Sequence, residues 1–422
     1  MSIITLNTRS LPDSAVTTAK IASDAVTDAK IADDVIGTEH LTAGEVDATA
    51  LASNAVTTAK IADSAVTAAK TSGVTSDMFR NIIINGDMSI AQRGTSASSL
   101  TGSSYETVDR FKQEISSQGT WTQSQSTDVP TGQGFAKSFK MDCTTADASP
   151  AASDQNNLQI KLEGQNLQYL KKGTSSAESI TCSFWVRSNK TGTYIVRIKD
   201  NDNSRSISQS YTISSADTWE KKTLTYAGDT TGTLNNDANL SMTIDFCLGA
   251  GTTFTSGTLQ TSWGSDTTAD RYVGQVNLAD STSNEWYITG VQLEVGTAAS
   301  DFEFLPTDIN LERCQRYYYF MIGGGTYSIG RGGYYSSSQV EVSVFFPRTM
   351  RAIPTLEIAT GTDYYNFHRA GSNDSVDSLA INNAYTHGTS LYNNSQASGT
   401  AGHVAHATTN NSSSKISFTS EL

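Results

Sequence analysis

Residues 14–73 are six consecutive copies of a ten-residue unit, SAVTTAKIAS, DAVTDAKIAD, DVIGTEHLTA, GEVDATALAS, NAVTTAKIAD and SAVTAAKTSG. Self-similarity at a fixed period marks a quasi-one-dimensional structure in which each unit packs only on its neighbours. Large aliphatics recur every five residues, at Val16, Ile21, Val26, Ile31, Ile36, Leu41, Val46, Leu51, Val56, Ile61 and Val66. An α-helix turns every 3.6 residues or so and a heptad coiled coil every 3.5, so a step of five draws no stripe on either. A flat strand fails too, because an odd step sends alternate aliphatics to opposite faces. Two geometries remain. One is a narrow β-solenoid, with small residues (Ser14, Ala19, Ala29, Ala59, Ser64, Ala69) two places before the inward aliphatic. The other is three chains wound together, each giving one aliphatic per layer to a shared axis. One aliphatic in five is a thin core for a lone chain, which favours the trimer. A solvated linker has no reason to keep an aliphatic register this long.

The remainder of the 422 residues is long enough for more than one further domain. Charged residues make up only 17%, with Ser, Thr, Asn and Gly filling the polar positions, as on the surface of extracellular β-structure. The formal charge of -13 opposes a nucleic-acid-binding role. No apolar run approaches the roughly 20 residues of a membrane span, so no membrane insertion is expected. The opening MSIITLNTRS lacks the basic and apolar regions of a secretory signal, which implies synthesis in a cytoplasm and release by a route such as lysis. Cys143, Cys182, Cys247 and Cys314 are scattered, with no CxxC pair, and read as buried free thiols.

After the repeat, Met78 to Asn85 reads as a short apolar strand closed by an Asn85-Gly86 turn. Asp109-Arg110-Phe111 opens a second strand. From there to about residue 305, strand-sized segments alternate with Ser/Thr/Gly/Asn loops: 135–141, 158–162, 180–186, 194–198, 219–226, 240–248 and 286–293. Such spacing without intervening helical pattern predicts a β-sandwich or jelly roll. Residues 308–319 carry a helical signal with Asp308 as its N-cap. Strands follow at 340–346, 355–358 and 415–419, the last after a tail rich in Ser, Asn, Gly and His.

Catalytic signatures are missing: there is no GxSxG, HExxH or Walker loop. No enzyme activity, catalytic residue, metal site or cofactor is therefore expected. Asp200-Asn201-Asp202-Asn203-Ser204 looks like the start of a calcium loop, but Arg205 stands at its sixth place and Tyr211 at its twelfth. A polar hairpin turn is the better reading, and calcium, though conceivable between sandwich strands, is not predicted. His403 and His406 lie three apart without a further ligand nearby in sequence. Flat aromatic faces are the remaining candidates for ligand contact. Trp121 and Trp263 sit among Ser, Thr and Gly, where exposure is plausible, whereas Trp185, Trp219 and Trp286 sit in strand patterns and read as core. In Tyr334-Tyr335 and Tyr364-Tyr365 a strand exposes at most one ring of each pair. Trp121, Trp263, Tyr334 and Tyr364 are taken as candidate receptor-binding positions.

Three segments carry a resemblance. The decads of the form AVTTAKIADSAVTAAK resemble the stalks of bacteriophage tail fibres and other virion fibres. Arg80-Asn81-Ile82-Ile83-Ile84-Asn85-Gly86-Asp87-Met88, with Ile90 to Gly94 and Asp109-Arg110-Phe111, resembles the opening of a jelly-roll module of phage fibres. Trp286 to Gly296, Phe302-Glu303-Phe304 and Glu312 to Tyr319 resemble that module's end and continuation, and Met350 to Thr355 with Phe418 to Leu422 the usual C-terminal part. The resemblance implies a mostly β, homotrimeric fibre with four parts. These are a particle-attachment segment (1–13), a decapeptide-repeat stalk (14–76), a jelly-roll domain (77–306) and a β-rich tip domain (307–422). It implies a tail or capsid adaptor protein as partner of the N-terminus, a host cell-surface glycan as partner of the rest, and a place in the virion after assembly in the host cytoplasm. A capsid fibre or decoration protein and a polysaccharide-degrading tailspike are the alternatives. It supplies no list of binding residues.

Overall fold

The computed structural model describes residues 79–422 and the isolated Thr17. The attachment segment, the decad stalk and the first two residues of the jelly-roll range lie outside the described residues. The described residues 79–422 belong to one compact unit.

Between residues 96 and 295, apolar side chains alternate with polar ones along twelve strands. In chain order they are β1 (Ser96–Leu100), β2 (Phe111–Ser116), β3 (Thr120–Ser126), β4 (Ser138–Thr145), β5 (Gln155–Glu163), β6 (Ile180–Ser188), β7 (Gly192–Asp200), β8 (Arg205–Ile213), β9 (Glu220–Tyr226), β10 (Leu240–Ala250), β11 (Gly264–Ser265) and β12 (Glu285–Val295). They pair as two six-stranded sheets, ordered β1-β3-β4-β12-β6-β9 and β11-β8-β7-β10-β5-β2. The ladders are antiparallel. This is a jelly-roll-like sandwich, with chain-adjacent strands repeatedly placed in opposite sheets. The inner faces share one core that includes Phe111, Phe139, Ile160, Phe184, Val196, Phe246, Trp286 and Ile288. Phe184 meets Phe246 edge to face at 5.1 Å between centroids. Each such ring contributes about 1.5–3 kcal/mol by leaving water.

The segment at 79–93 departs from expectation. It forms turns rather than a strand. Ile82 N–H donates to Leu293 O and Val291 N–H donates to Gly86 O, so it runs along the edge of β12 without a continuous ladder, with Ile82 and Ile83 buried in the sandwich core. The side chains of Asn81 and Asn85 complete the polar accounting. Asn81 donates to Val291 O, and Asn85 donates to Ile90 O and Asp109 O. A Cβ on Gly86 would fall 2.0 Å from Val291 O, so only glycine allows this approach. The two segments that carry the jelly-roll resemblance are thus in contact.

Helix α2 (Thr307–Gln315) follows, α1 being the single turn Thr252–Thr255. The N-cap of α2 is Pro306 rather than Asp308, which lies in the first turn, and the helix stops before Tyr317-Tyr318-Tyr319. Ten strands complete the chain: β13 (Tyr318–Gly323), β14 (Ser328–Ser336), β15 (Gln339–Phe345), β16 (Thr355–Ile358), β17 (Tyr365–Arg369), β18 (Ser372–Val376), β19 (Ala380–Tyr385), β20 (Gly388–Asn393), β21 (Val404–Thr409) and β22 (Lys415–Thr419). They form a three-stranded sheet, β13-β22-β16, and a seven-stranded sheet, β18-β17-β21-β14-β15-β20-β19. A second core lies between them, with Val342, Val344, Tyr365, Phe367, Leu391 and Phe418 at its centre.

The residues after β22 lock this part to the sandwich. Glu421 pairs with Arg110 and, at 3.3 Å, with Arg93. Arg351 donates to Ser420 O, Glu421 O and Ala238 O. All four cysteines are buried and free, as expected.

Candidate functional site

The outer face of the second sheet is shaped by the fold into a polar hollow. Strand alternation decides which residues reach it. On β5, Leu158, Ile160 and Leu162 enter the core, so Gln155, Asn157, Gln159 and Lys161 point the other way. Lys112 and Glu114 of β2, Thr243 and Asp245 of β10, and Arg197 and Lys199 of β7 share that face. The chain between β10 and β12 then folds back over one end of it. There Phe254 and Tyr272 bury Ile195 and Cys247 in a small satellite core. Arg271 and Tyr272 consequently wall a groove of about 260 Å³.

Its centre is a cross-strand row. Asp245 lies opposite Gln159 on one side and Arg197 on the other. The Asp245 carboxylate accepts from Gln159 at 2.9 Å, from Arg197 at 2.7 Å and from the Tyr272 hydroxyl at 3.1 Å. A second nitrogen of Arg197 donates to Asp266 at 2.8 Å, which also accepts from Arg271. Arg271 and Arg197 hold the Asp266 carboxyl below the usual range despite its burial. Burial, and then Asp245, pushes the Glu114 carboxyl upward. Two buried atoms in the groove lack a hydrogen-bond partner among the described residues: Oδ1 of Asn157 and Nε of Arg197. Leaving such a group unpaired costs about 1–3 kcal/mol; the Asn157 oxygen would gain from a donor such as a hydroxyl, and the Arg197 N–H from an acceptor such as a hydroxyl or carboxylate oxygen.

A larger cavity of about 350 Å³ lies between β5, the 79–84 segment and α2, beside the exposed rings of Phe79 and Tyr169. It borders the first residue of the continuous described range, and its Glu163 carboxylate is already taken up by Arg316 and Gln165. The sheet groove is the better-built site.

The aromatic candidates are placed elsewhere. Trp121 projects inward from β3, has no exposed surface, and donates its indole N–H to Gln118 O at 2.7 Å. It is a core residue, which corrects the expectation of an open face. Tyr334 is likewise buried, its hydroxyl donating to Asp374 at 2.7 Å, while Tyr335 is 75% exposed. The alternation was as expected but the phase was inverted. Trp263 is half-buried against the sandwich core and donates to Ala227 O. Tyr364 is half-buried on the second core. These four residues sit on separate elements and none lines the groove. Trp286 is fully buried as expected, but Trp185 and Trp219 are only half-buried.

The loop at 200–205 is a hairpin turn joining β7 to β8. Asp200 accepts from Asn203 and pairs with Lys172 at 2.5 Å, so its carboxylate is occupied by protein. His406 neighbours His368, at 5.9 Å between ring centroids, rather than pairing with His403. No group of three or more His, Cys, Asp or Glu among the described residues is arranged to hold a metal ion.

No family model matches this chain, and no curated protein does. Several solved structures do. One is the enzymatically active domain of tailspike protein 4 of bacteriophage CBA120, at 14% identity and a TM-score of 0.28, over 51% of this chain and 22% of that one. This chain therefore spans about a fifth of the tailspike domain's length. Another is the C-terminal family 22 carbohydrate-binding module of Clostridium thermocellum Xyn10B, at 14% identity and 0.25, over 47% and 98%. A third is TmCBM61 in complex with β-1,4-galactotriose, at 9% identity and 0.23, over 51% and 99%. At these values the likenesses assign neither activity nor ligand.

Proposed function

We propose that this protein is a structural fibre protein of a bacteriophage, and that its sandwich binds glycan on the host surface through the groove on the second sheet. The groove itself carries the reading. Amides, carboxylates and ammonium groups from four strands converge on one open hollow, and two buried polar atoms there lack partners among the described residues. Side-chain amides both donate and accept, which suits the paired hydroxyls of a sugar. The decad repeat and the segment resemblances support a reading in which such a module is carried on a stalk.

Single sugar contacts of this kind are weak. A homotrimeric fibre presents three grooves, and several fibres per particle multiply them, so effective concentration does the holding. An adaptor protein of the tail or capsid would take the N-terminal residues. No catalytic step is assigned.

The test is a glycan array probed with the full-length chain, in parallel with Asn157→Ala and Gln159→Ala. Binding to a restricted set of polysaccharides, weakened by both substitutions, is the expected result. No glycan binding, or binding that ignores both substitutions, overturns the reading. Sedimentation of the same sample should show three copies per particle.

A further inference from the structure

We infer that the ligand of the groove is an acidic polysaccharide, one carrying carboxylate or sulfate groups along its length. The inference rests on the glycan reading above and goes further by naming the ligand's charge.

Charge balance comes first. The groove is lined by five cationic side chains, Lys112, Lys161, Arg197, Lys199 and Arg271, against two carboxylates, Glu114 and Asp245. Even with Asp266 behind the wall counted, cations are in excess. The whole chain carries a formal charge of -13, so a cationic hollow runs against its composition. A concave cationic surface between low-dielectric walls concentrates anions.

Placement comes second. Lys161 and Lys199 lie abreast, each opposite Thr243 on the strand between them. Neighbouring strands are about 4.8 Å apart, which sets these two backbones roughly 10 Å apart across a small side chain. Lys112 stands on the next strand, opposite Gln159. One end of the groove is therefore a lysine cluster. Protein groups compensate that cluster only in part. Lys112 has no ion pair within 4 Å among the described residues, Lys161 donates to an oxygen of Leu422 at 2.8 Å, and Lys199 is 3.7 Å from Asp266. Burial first, and then the neighbouring Lys112 ammonium, push the Lys161 amine downward, against the opposing pull of Glu114 and Glu421. An anionic group settling among the three relieves that crowding.

The third observation concerns what is missing from the lining. The apolar face of a neutral sugar gains by covering an open aromatic ring. Tyr272 is the aromatic residue of this groove; it is 2% exposed and its hydroxyl is committed to Asp245. Recognition must come from charge and hydrogen bonds.

The experiment measures binding of the full-length chain to polygalacturonate, dextran sulfate and neutral dextran, at low and high salt. The variants are Lys112→Gln/Lys199→Gln in the groove and Lys171→Gln/Lys221→Gln outside it. The expected result is a preference for at least one of the two anionic polymers over dextran, weakened by salt, with affinity falling about tenfold in the groove variant and little in the other. Preference for polygalacturonate identifies the anion as a carboxylate, and preference for dextran sulfate as a sulfate. Equal losses in both variants would mean unspecific attraction and overturn the inference. So would tight binding of dextran, lost in Asn157→Ala, without preference for either polyanion; the glycan reading would then survive alone. Failure to bind any of the three polymers, together with a blank glycan array, overturns both. Circular dichroism of each variant confirms that the fold is retained.

Discussion

The guanidinium carbon of Arg110 lies 3.4 Å from the centroid of the Tyr317 ring, while one of its nitrogens pairs with Glu421 and another donates to Lys161 O. One arginine just before β2 thus touches the segment between α2 and β13 and the residues after the last strand. Arg110 and Glu421 side chains are 2% and 8% exposed, so neither charge has water to fall back on.

Removing one partner of a buried pair strands the other. Arg110→Met is expected to cost about 3–5 kcal/mol, read as a fall in the urea midpoint. Arg110→Met combined with Glu421→Leu and Arg93→Met should recover much of the loss, because three apolar groups leave no bare charge, whereas Arg110→Met/Glu421→Leu alone still strands Arg93. Additive losses in the triple variant would contradict this account.

Asp109, next to that arginine, gives a pH signature. Burial raises its carboxyl from 3.8 to about 6, against the opposing effects of Gln92 and Arg93 and with a further push from Glu421. Between those two values the folded state holds a proton that the unfolded chain has lost, so stability declines as pH rises from about 4 to 6. Urea titrations across that window should show the decline in the native chain and a flatter profile in Asp109→Asn. Identical profiles would remove Asp109 as the cause.

Gly290 has φ of +62°, and a Cβ there would come within 2.6 Å of the Phe135 ring. Gly290→Ala should destabilise by roughly 1–2 kcal/mol from the backbone and 1–3 kcal/mol from overpacking. Phe135→Leu in the same chain should return part of the second contribution and none of the first. Thermal melts of the three variants decide it.

Trp121 separates core from platform. As a buried side chain, Trp121→Ala is expected to cost about 3–5 kcal/mol and to leave glycan affinity of the folded fraction unchanged. Loss of affinity at full stability would restore it as a binding residue.

The strands were legible because alternation is a local signal. The ranges 355–358 and 415–419 read from sequence coincide with β16 and β22, and β5, β6, β7, β10 and β12 each extend the expected segment by a few residues. The 82–84 isoleucines misled, since apolar residues that enter the sandwich core from a turn, as Ile82 and Ile83 do, look the same in sequence as a strand. Trp121 misled because its inward neighbour on β3 is Gln123, a fully buried amide that made the strand look like a loop. The groove was missed because its residues are spread from 112 to 272 over four strands and a returning loop. One signal was present: Gln155, Asn157, Gln159 and Lys161 recur at every second place opposite leucine and isoleucine.

That division of labour on β5 has a bearing on how such a protein changes over generations. Even-numbered positions 158, 160 and 162 answer to the fold, while odd-numbered positions 155 to 161 answer to whatever lies in the groove. On the proposed reading, mutation explores new ligands one side chain at a time, with selection for folding acting mainly on a separate set of letters. A change of ligand would then redraw only the odd letters of a few strands.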